Sequence, residues 1–330
     1  MLGAACATDD SHGGRNSPFG RWQVSFGFRK QRSHRHFVGT VEQKNREEEG
    51  TEIVNDIYLF DLGLTYNLTA RSSLTVSMPF QHATRVSPAR FNSAGVQTSP
   101  KVVSHGVGIG DMSVGGRIWV LDPAREDRPR HNIAFGLNLK LPTGNEGVKD
   151  TVDSATGPRV VVVDQSIQLG DGGWGLTLST DMYKRLGQFT AYGSGMYLFN
   201  PRNTNGVQTG RGRASEAIMS VSDQYLGRAG VIIPVRKVRG LTASFGGRIE
   251  GVPVRDAFGK SDGFRRPGYA ISVEPGVNYI TRGGRDVWSV TVPVAVSRNR
   301  RQSVSDIRDN RHGDAAFADY LITVGYARRF

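Results

Sequence analysis

Eleven side chains capable of acid–base or hydrogen-bonding chemistry stand out by their setting: Arg29, Asp61, Asp111, Arg117, Lys140, Asp181, Tyr183, Arg228, Arg248, Glu250 and Glu274. They come from separate segments, carry both signs of charge, and share their positional parity with small residues, as Asp111, Ser113, Gly115 and Arg117 do. Charges placed this way either pair across a confined space or line a polar path for a solute. Nothing around them reads as a nucleophile with its base. No histidine shares an outward strand face with a serine near the outer rim. A hydrolase is therefore disfavoured, and no enzyme activity or cofactor is expected.

Two further stretches invite a chemical reading. "GVGIGD" (106–111) looks like a nucleotide loop, but such a loop needs a helix after it. The next residues, "MSVGGRIWV", alternate as a strand, so the glycines are expected to relieve crowding, with Asp111 facing inward. "LPTGNEGVKDTVDSATG" (141–157) carries Glu146, Asp150 and Asp153. Their spacing matches no EF-hand loop. His34 and His36 lie two apart, and His12, His82, His105, His131 and His312 are scattered. No metal site is predicted.

The elements that must position these residues are legible from alternation. In "NIAFGLNLKLP", Ile133, Phe135, Leu137, Leu139 and Leu141 oppose Asn132, Ala134, Gly136, Asn138 and Lys140. In "VWSVTVPVAVS", Trp288, Val290, Val292, Val294 and Val296 oppose Ser289, Thr291, Pro293, Ala295 and Ser297. "YAISVEPGVNY" and "SLTVSMPF" alternate likewise. Period two marks strands. A soluble sandwich would show the same pattern with its apolar face buried. Three features favour a membrane barrel instead. The strands run roughly 11–15 residues, longer than the usual five or six. The polar faces mix tiny and charged residues, as a wet lumen requires. Aromatics gather near strand ends, in girdle positions: Trp22, Tyr58, Tyr66, Trp174, Tyr197, Phe199, Tyr269, Tyr279, Trp288, Tyr320 and Phe330.

The fold class predicted is thus all-β: one antiparallel transmembrane β-barrel of about twelve strands, at 20–32, 54–67, 71–85, 107–121, 131–142, 173–185, 188–200, 218–235, 240–253, 267–281, 285–298 and 316–330. Long connections follow the odd strands and mostly short ones the even strands, the rhythm of outer loops and periplasmic turns. The closing stretch "AFADYLITVGYARRF" then pairs with the first strand, through Trp22–Phe28 and Tyr320–Tyr326. Residues 19–330 form the barrel, and residues 1–18 are expected to be a flexible segment, either the remnant of a signal peptide or a partial plug of the lumen.

Composition agrees. Hydrophobic content is 38%, mean hydropathy is −0.36 and no run of 18 apolar residues exists, so no transmembrane helix is predicted. The single cysteine, Cys6, permits no intrachain disulfide. The net charge of +12 would suggest nucleic acid in a soluble domain. Here it resides in "RKQRSHRHF" (29–37), "PAREDRPRH" (123–131) and "RNRRQSVSDIRDNRH" (298–312), read as solvated outer loops, and no nucleic-acid partner is expected.

Several phrases recur in a familiar order: "GVGIGDMSVGGRIWV" (106–120), "LNLKLPTGNEG" (137–147), "DQSIQLGDGGWG" (164–175) and "KRLGQFTAYGSGMYLFNPRNTNG" (184–206). Over roughly residues 105–330 the chain resembles the outer-membrane transporter family named for the phenol meta-cleavage pathway. The resemblance implies a monomeric β-barrel in the bacterial outer membrane that takes up small, often aromatic, compounds; it transfers no functional residues. The terminal aromatic Phe330 resembles the sorting signal read by the barrel-assembly machinery, although Arg328 stands where that signal is usually apolar. The expected function is passive uptake of small solutes, aromatic or anionic, in contact with outer-membrane lipid and lipopolysaccharide. The alternative is a surface-interaction barrel whose basic loops bind lipopolysaccharide phosphates or a partner.

Overall fold

A computed structural model describes residues 20–92, 94–123 and 129–330. Cys6, His12 and the whole segment 1–18 lie outside the described residues. Twelve antiparallel strands close into one barrel: β1 (Trp22–Val38), β2 (Val54–Asn67), β3 (Ser72–Ser87), β4 (Val102–Ile109, continued by Ser113–Trp119), β5 (His131–Lys140), β6 (Gly175–Leu186), β7 (Phe189–Phe199), β8 (Gln224–Pro234), β9 (Leu241–Val252), β10 (Gly268–Ile280), β11 (Asp286–Thr291, continued by Val294–Arg300) and β12 (Ala315–Arg329). Each pairs with its sequence neighbours, and β1 pairs with β12 from Gln23 opposite Arg329 to Phe37 opposite Ala315. Closure leaves no open edge, the condition for strands to cross hydrocarbon.

The barrel is inside-out by the standard of a soluble protein. Phe135, Leu137 and Phe245 are more than half exposed on the outer surface, whereas Ser272, Glu274 and Asn132 are buried within. The connections keep the expected rhythm. Short turns join β2 to β3, β6 to β7 and β8 to β9 at one rim; long loops gather at the other.

Two strands are broken, and prolines explain both. Pro79 in β3 has no N–H to give β4, and opposite it β4 lapses over residues 110–112, keeping only the Gly110 N–H bond to the Pro79 carbonyl at 2.8 Å. In β11 the break falls at Val292 and Pro293.

Some sequence expectations need correction. β1 runs to Val38 rather than ending near 32, and residues 218–220 belong to a small hairpin with Thr204–Gln208, so β8 starts only at Gln224. Bulges flip two faces. In β11, Ala295 opposes Ser272 but Ser297 opposes the outward Ile271, so Ser297 turns outward while Arg298 and Arg300 turn inward. In β12, Leu321 opposes Gln31 and Ala318 opposes Ser33, which brings Ala318 to the inner face. The run 298–312 is therefore not wholly a solvated face: Arg298 and Arg300 are buried on Asp319 and Asp306, each at 2.8 Å.

Candidate functional site

The residues with chemical potential converge on the lumen. Alternation aims them there: on β9, Phe245 and Ile249 are exposed outward, so Arg248 and Glu250 point in. On β8 and β9, Arg228 lies directly opposite Arg248. Like charges so placed repel. The next strand supplies the remedy. Glu274 of β10, 1% exposed, accepts from Arg228 Nε at 2.7 Å and lies 3.5 Å from Arg248. Arg248 also donates to Glu250 at 2.6 Å. Across the lumen Arg29 and Asp61 sit on β1 and β2. No carboxylate lies within 4.0 Å of Arg29 among the described residues, and its Nε has no hydrogen-bond partner. Six charges on five strands thus form a belt around the mid-lumen.

A second cluster lies beside the belt. Lys140 of β5 pairs with Asp171 and stands 3.6 Å from Asp111. Asp111 occupies the break in β4, where it accepts from the Gly144 and Asp171 N–H groups at 3.0 and 3.2 Å. Nearer the short-turn rim, Arg117 meets Asp181 at 3.4 Å, and Trp119 packs edge-on against Tyr183 with ring centres 5.9 Å apart.

These clusters divide the lumen into two chambers. The lower, about 360 Å³, runs from the turn Thr69–Arg71 up to Lys140 and Arg228. The upper, about 470 Å³, holds Arg29, Gln31, Gln81, Gln165, Gln168 and Glu250. Asp111 lines both. Of the eleven residues singled out in the sequence, eight line a chamber; Arg248 and Glu274 are buried beside the path, and Tyr183 stands at its rim.

A roof covers part of the upper chamber. The connection between β5 and β6 carries a hairpin, Lys149–Val152 with Arg159–Val162, and a 3₁₀ turn, Gln165–Ile167. Val163 and Ile167 pack on Ala83, all at most 1% exposed, with Ile57 and Val148 around them. Ala83 and Ile57 are inward-facing barrel residues, so this knot sits inside the wall. A Cβ at Gly106 would stand 1.9 Å from the Ile167 carbonyl, which explains the glycine there. Asp164 caps the turn by accepting from Ser166 N–H at 3.0 Å and receives both arms of Arg266 at 2.9 and 2.8 Å. Burial alone would raise this carboxyl; the Arg266 and Arg85 guanidiniums overcome it and hold Asp164 well below the usual carboxylate range.

Sequence reasoning leaves open whether residues 143–172 fold inward as this plug does, and it missed Tyr192, whose hydroxyl fits over Gly230 and Gly246 because a Cβ at either would approach it to 2.8 or 2.6 Å. The signal for Tyr192 is present: it shares the parity of Ser194 on the polar face of β7. For the plug no periodic signal exists, because a single turn contributes the contact.

The girdle residues lie as two bands. Trp22 with Tyr66 and Trp288 with Tyr326, ring centres 4.7 and 4.4 Å apart, mark the short-turn rim along with Tyr279 and Phe330. Trp174, Tyr197, Phe199 and Tyr269 mark the long-loop rim, with Tyr58 and Tyr320 a step nearer the middle. Arg328 faces outward as expected, beside Asp286 at 3.3 Å and over the Phe330 ring.

No protein-family model matches the chain, and no curated protein matches it. Solved structures do. The COG4313 outer membrane channel from Pseudomonas putida F1 superposes with a TM-score of 0.62 at 13% identity, over 95% of this chain and 96% of that one. This chain has the fold of an outer-membrane β-barrel. The β domain of the Bordetella autotransporter BrkA aligns at 0.47 with 11% identity over 94% and 100% of the two chains. The Pseudomonas putida toluene transporter TodX aligns at 0.44 with 10% identity over 94% and 90%. The narrower resemblance to the phenol meta-cleavage family has no matching family model behind it.

Proposed function

We propose that the protein is an outer-membrane channel for passive, selective uptake of small polar solutes, anionic and aromatic ones included. The observation that carries this reading is the pair of polar chambers stacked along the barrel and meeting at Asp111 and the charge belt. A filled structural barrel has no use for such spaces, and twelve strands enclose less than the open bore of a sixteen-stranded porin. Likeness in fold to an outer-membrane channel supports the reading. The balanced belt gives selectivity: a solute must replace ion-pair contacts as it passes, so only small molecules able to hydrogen-bond both signs cross at useful rates.

Single-channel recording in planar bilayers tests it. The wild type conducts in small steps, and Asp164→Ala, which frees the plug from Arg266 and Arg85, conducts more. A wild type that neither conducts nor admits solute into liposomes would replace this reading with the surface-interaction barrel.

A further inference from the structure

At the long-loop end of β1, β2 and β3 lies a third, smaller cavity of about 100 Å³. Five guanidiniums line it, those of Arg85, Arg211, Arg266, Arg300 and Arg311. It shares Ser166, Arg266 and Ala316 with the upper chamber, so the two spaces adjoin. Four carboxylates answer the arginines. Asp164 takes Arg266, Glu216 takes Arg311 at 2.9 Å, Asp306 takes Arg300 at 2.8 Å, and Asp314 takes a sixth guanidinium, Arg46, at 2.9 Å. His36 adds no charge: its Nε2 accepts from the Ile53 N–H at 2.9 Å, which leaves Nδ1 to donate to Asp314 at 2.7 Å. The sum is two positive charges in excess.

An independent observation points the same way. Arg300 is 2% exposed, lines the cavity, and its Nε has no hydrogen-bond partner. A buried donor without an acceptor beside an uncompensated positive field is costly by itself. The volume suits several waters or a single oxyanion group. Arg211 and Arg266 lie over the Phe264 ring, 3.8 and 4.7 Å from its centre, so both guanidiniums are placed before any ligand arrives.

We infer that this cavity is a binding site for a small oxyanion, a carboxylate or phosphate group. The inference rests on the channel reading, within which the site is the first station on the path. Its position identifies the substrate class as anions whose remaining atoms extend past Ser166 and Ala316 into the upper chamber.

Calorimetric titration of the detergent-solubilised protein at low ionic strength tests this, with benzoate, acetate and inorganic phosphate as probes and benzamide as neutral control. The wild type is expected to bind oxyanions and not benzamide. Benzoate ahead of phosphate and acetate identifies an organic carboxylate; phosphate ahead identifies the inorganic ion. The ion pairs of Arg211 are long, 3.7 Å to Glu216 and 4.0 Å to Asp164, so Arg211→Gln leaves both carboxylates their closer partners. It should weaken binding about tenfold. Glu216→Gln removes a competing negative charge and should tighten binding severalfold, a gain that damage to the fold cannot imitate. Absence of oxyanion binding, equal binding of benzamide, or a Glu216→Gln protein that binds no more tightly overturns the site. Conductance recorded in parallel separates the two claims. A wild type that conducts without binding sinks the site alone, and one that binds without conducting sinks the channel reading alone.

Discussion

Single charges in the lumen differ in what they hold. Glu274 answers Arg228 and Arg248 at once, so Glu274→Gln leaves two guanidiniums facing each other in a mostly buried place. Loss of about 3 kcal/mol is expected, the lower end for a broken buried pair, together with a shift of reversal potential toward anions. Arg29 answers no carboxylate within 4.0 Å among the described residues, so Arg29→Gln should leave thermal unfolding nearly unchanged and still shift the reversal potential toward cations. Unfolding curves and bi-ionic potentials of the two variants check both. If Arg29→Gln unfolds as early as Glu274→Gln, the belt is a structural filling and not a path. In the loops, burial alone would raise the Asp314 carboxyl, but its bond to His36 and the charge of Arg46 bring it down to about 2. A depressed carboxyl contributes stability that is complete above its unfolded value near 4 and is lost as pH falls from there toward about 2. With Asp314 partly exposed, the contribution is on the order of 1 kcal/mol. The protection factors of residues 45–53, which His36 and Arg46 tie to Asp314, taken relative to the intrinsic exchange rate at each pH, should therefore fall between pH 4 and pH 2 in the wild type. In Asp314→Asn they should be low already at pH 6.

At the scale of elements, the plug is a short structure held by few bonds. Asp164 receives Arg266 and Arg85, Gln165 donates to the Ser220 carbonyl at 2.8 Å, and Gln81 donates to the Ile167 carbonyl at 3.0 Å. Replacing Ile167 with Asp places a charge among Ala83, Ile57 and Val163, which an apolar knot cannot accommodate. The plug should then leave the mouth while the barrel stays folded, and sized polymers should enter the upper chamber and block current that they cannot block in the wild type. Unchanged polymer exclusion would show that the roof is not set by this knot. The contrast between strands and plug also shows what the sequence could reveal. Leu137 out and Asn138 in is a two-residue rule that repeats around the barrel, so strand positions and the inward side chains are legible. Alternation misplaces Ser297 and Ala318 because a bulge shifts parity without any compositional mark. The partners of Glu274, and the burial of Arg300 under loops read as solvated, depend on contacts between strands and loops far apart in the chain. No spacing encodes those.

For the molecule as a whole, the consequential feature is closure. The ladder between β1 and β12 joins the two ends of the barrel, and it includes Ser25 opposite Ala327 and Gly27 opposite Gly325. Phe330 adds an N–H bond to the Trp22 carbonyl at 2.9 Å beyond the last paired residue. Because all apolar stripes face outward, the folded chain requires lipid or detergent, and it should migrate faster on a gel unboiled than boiled. Closure can be tested separately from compactness. Ser25→Cys with Ala327→Cys, in a chain whose Cys6 is replaced by Ser, puts two thiols on directly opposed inward positions. Cross-strand partners of this kind lie within the reach of a disulfide. Oxidation should then convert nearly all of the folded protein to a circularised form, which after boiling runs faster than the reduced chain because its ends cannot separate. Moving one thiol to the outward neighbour, Ser25→Cys with Tyr326→Cys, sets the pair on opposite faces and should abolish the reaction. Efficient crosslinking of that mismatched pair would mean that β12 is displaced by one residue along β1. No crosslinking of either would mean that the barrel does not close at this seam.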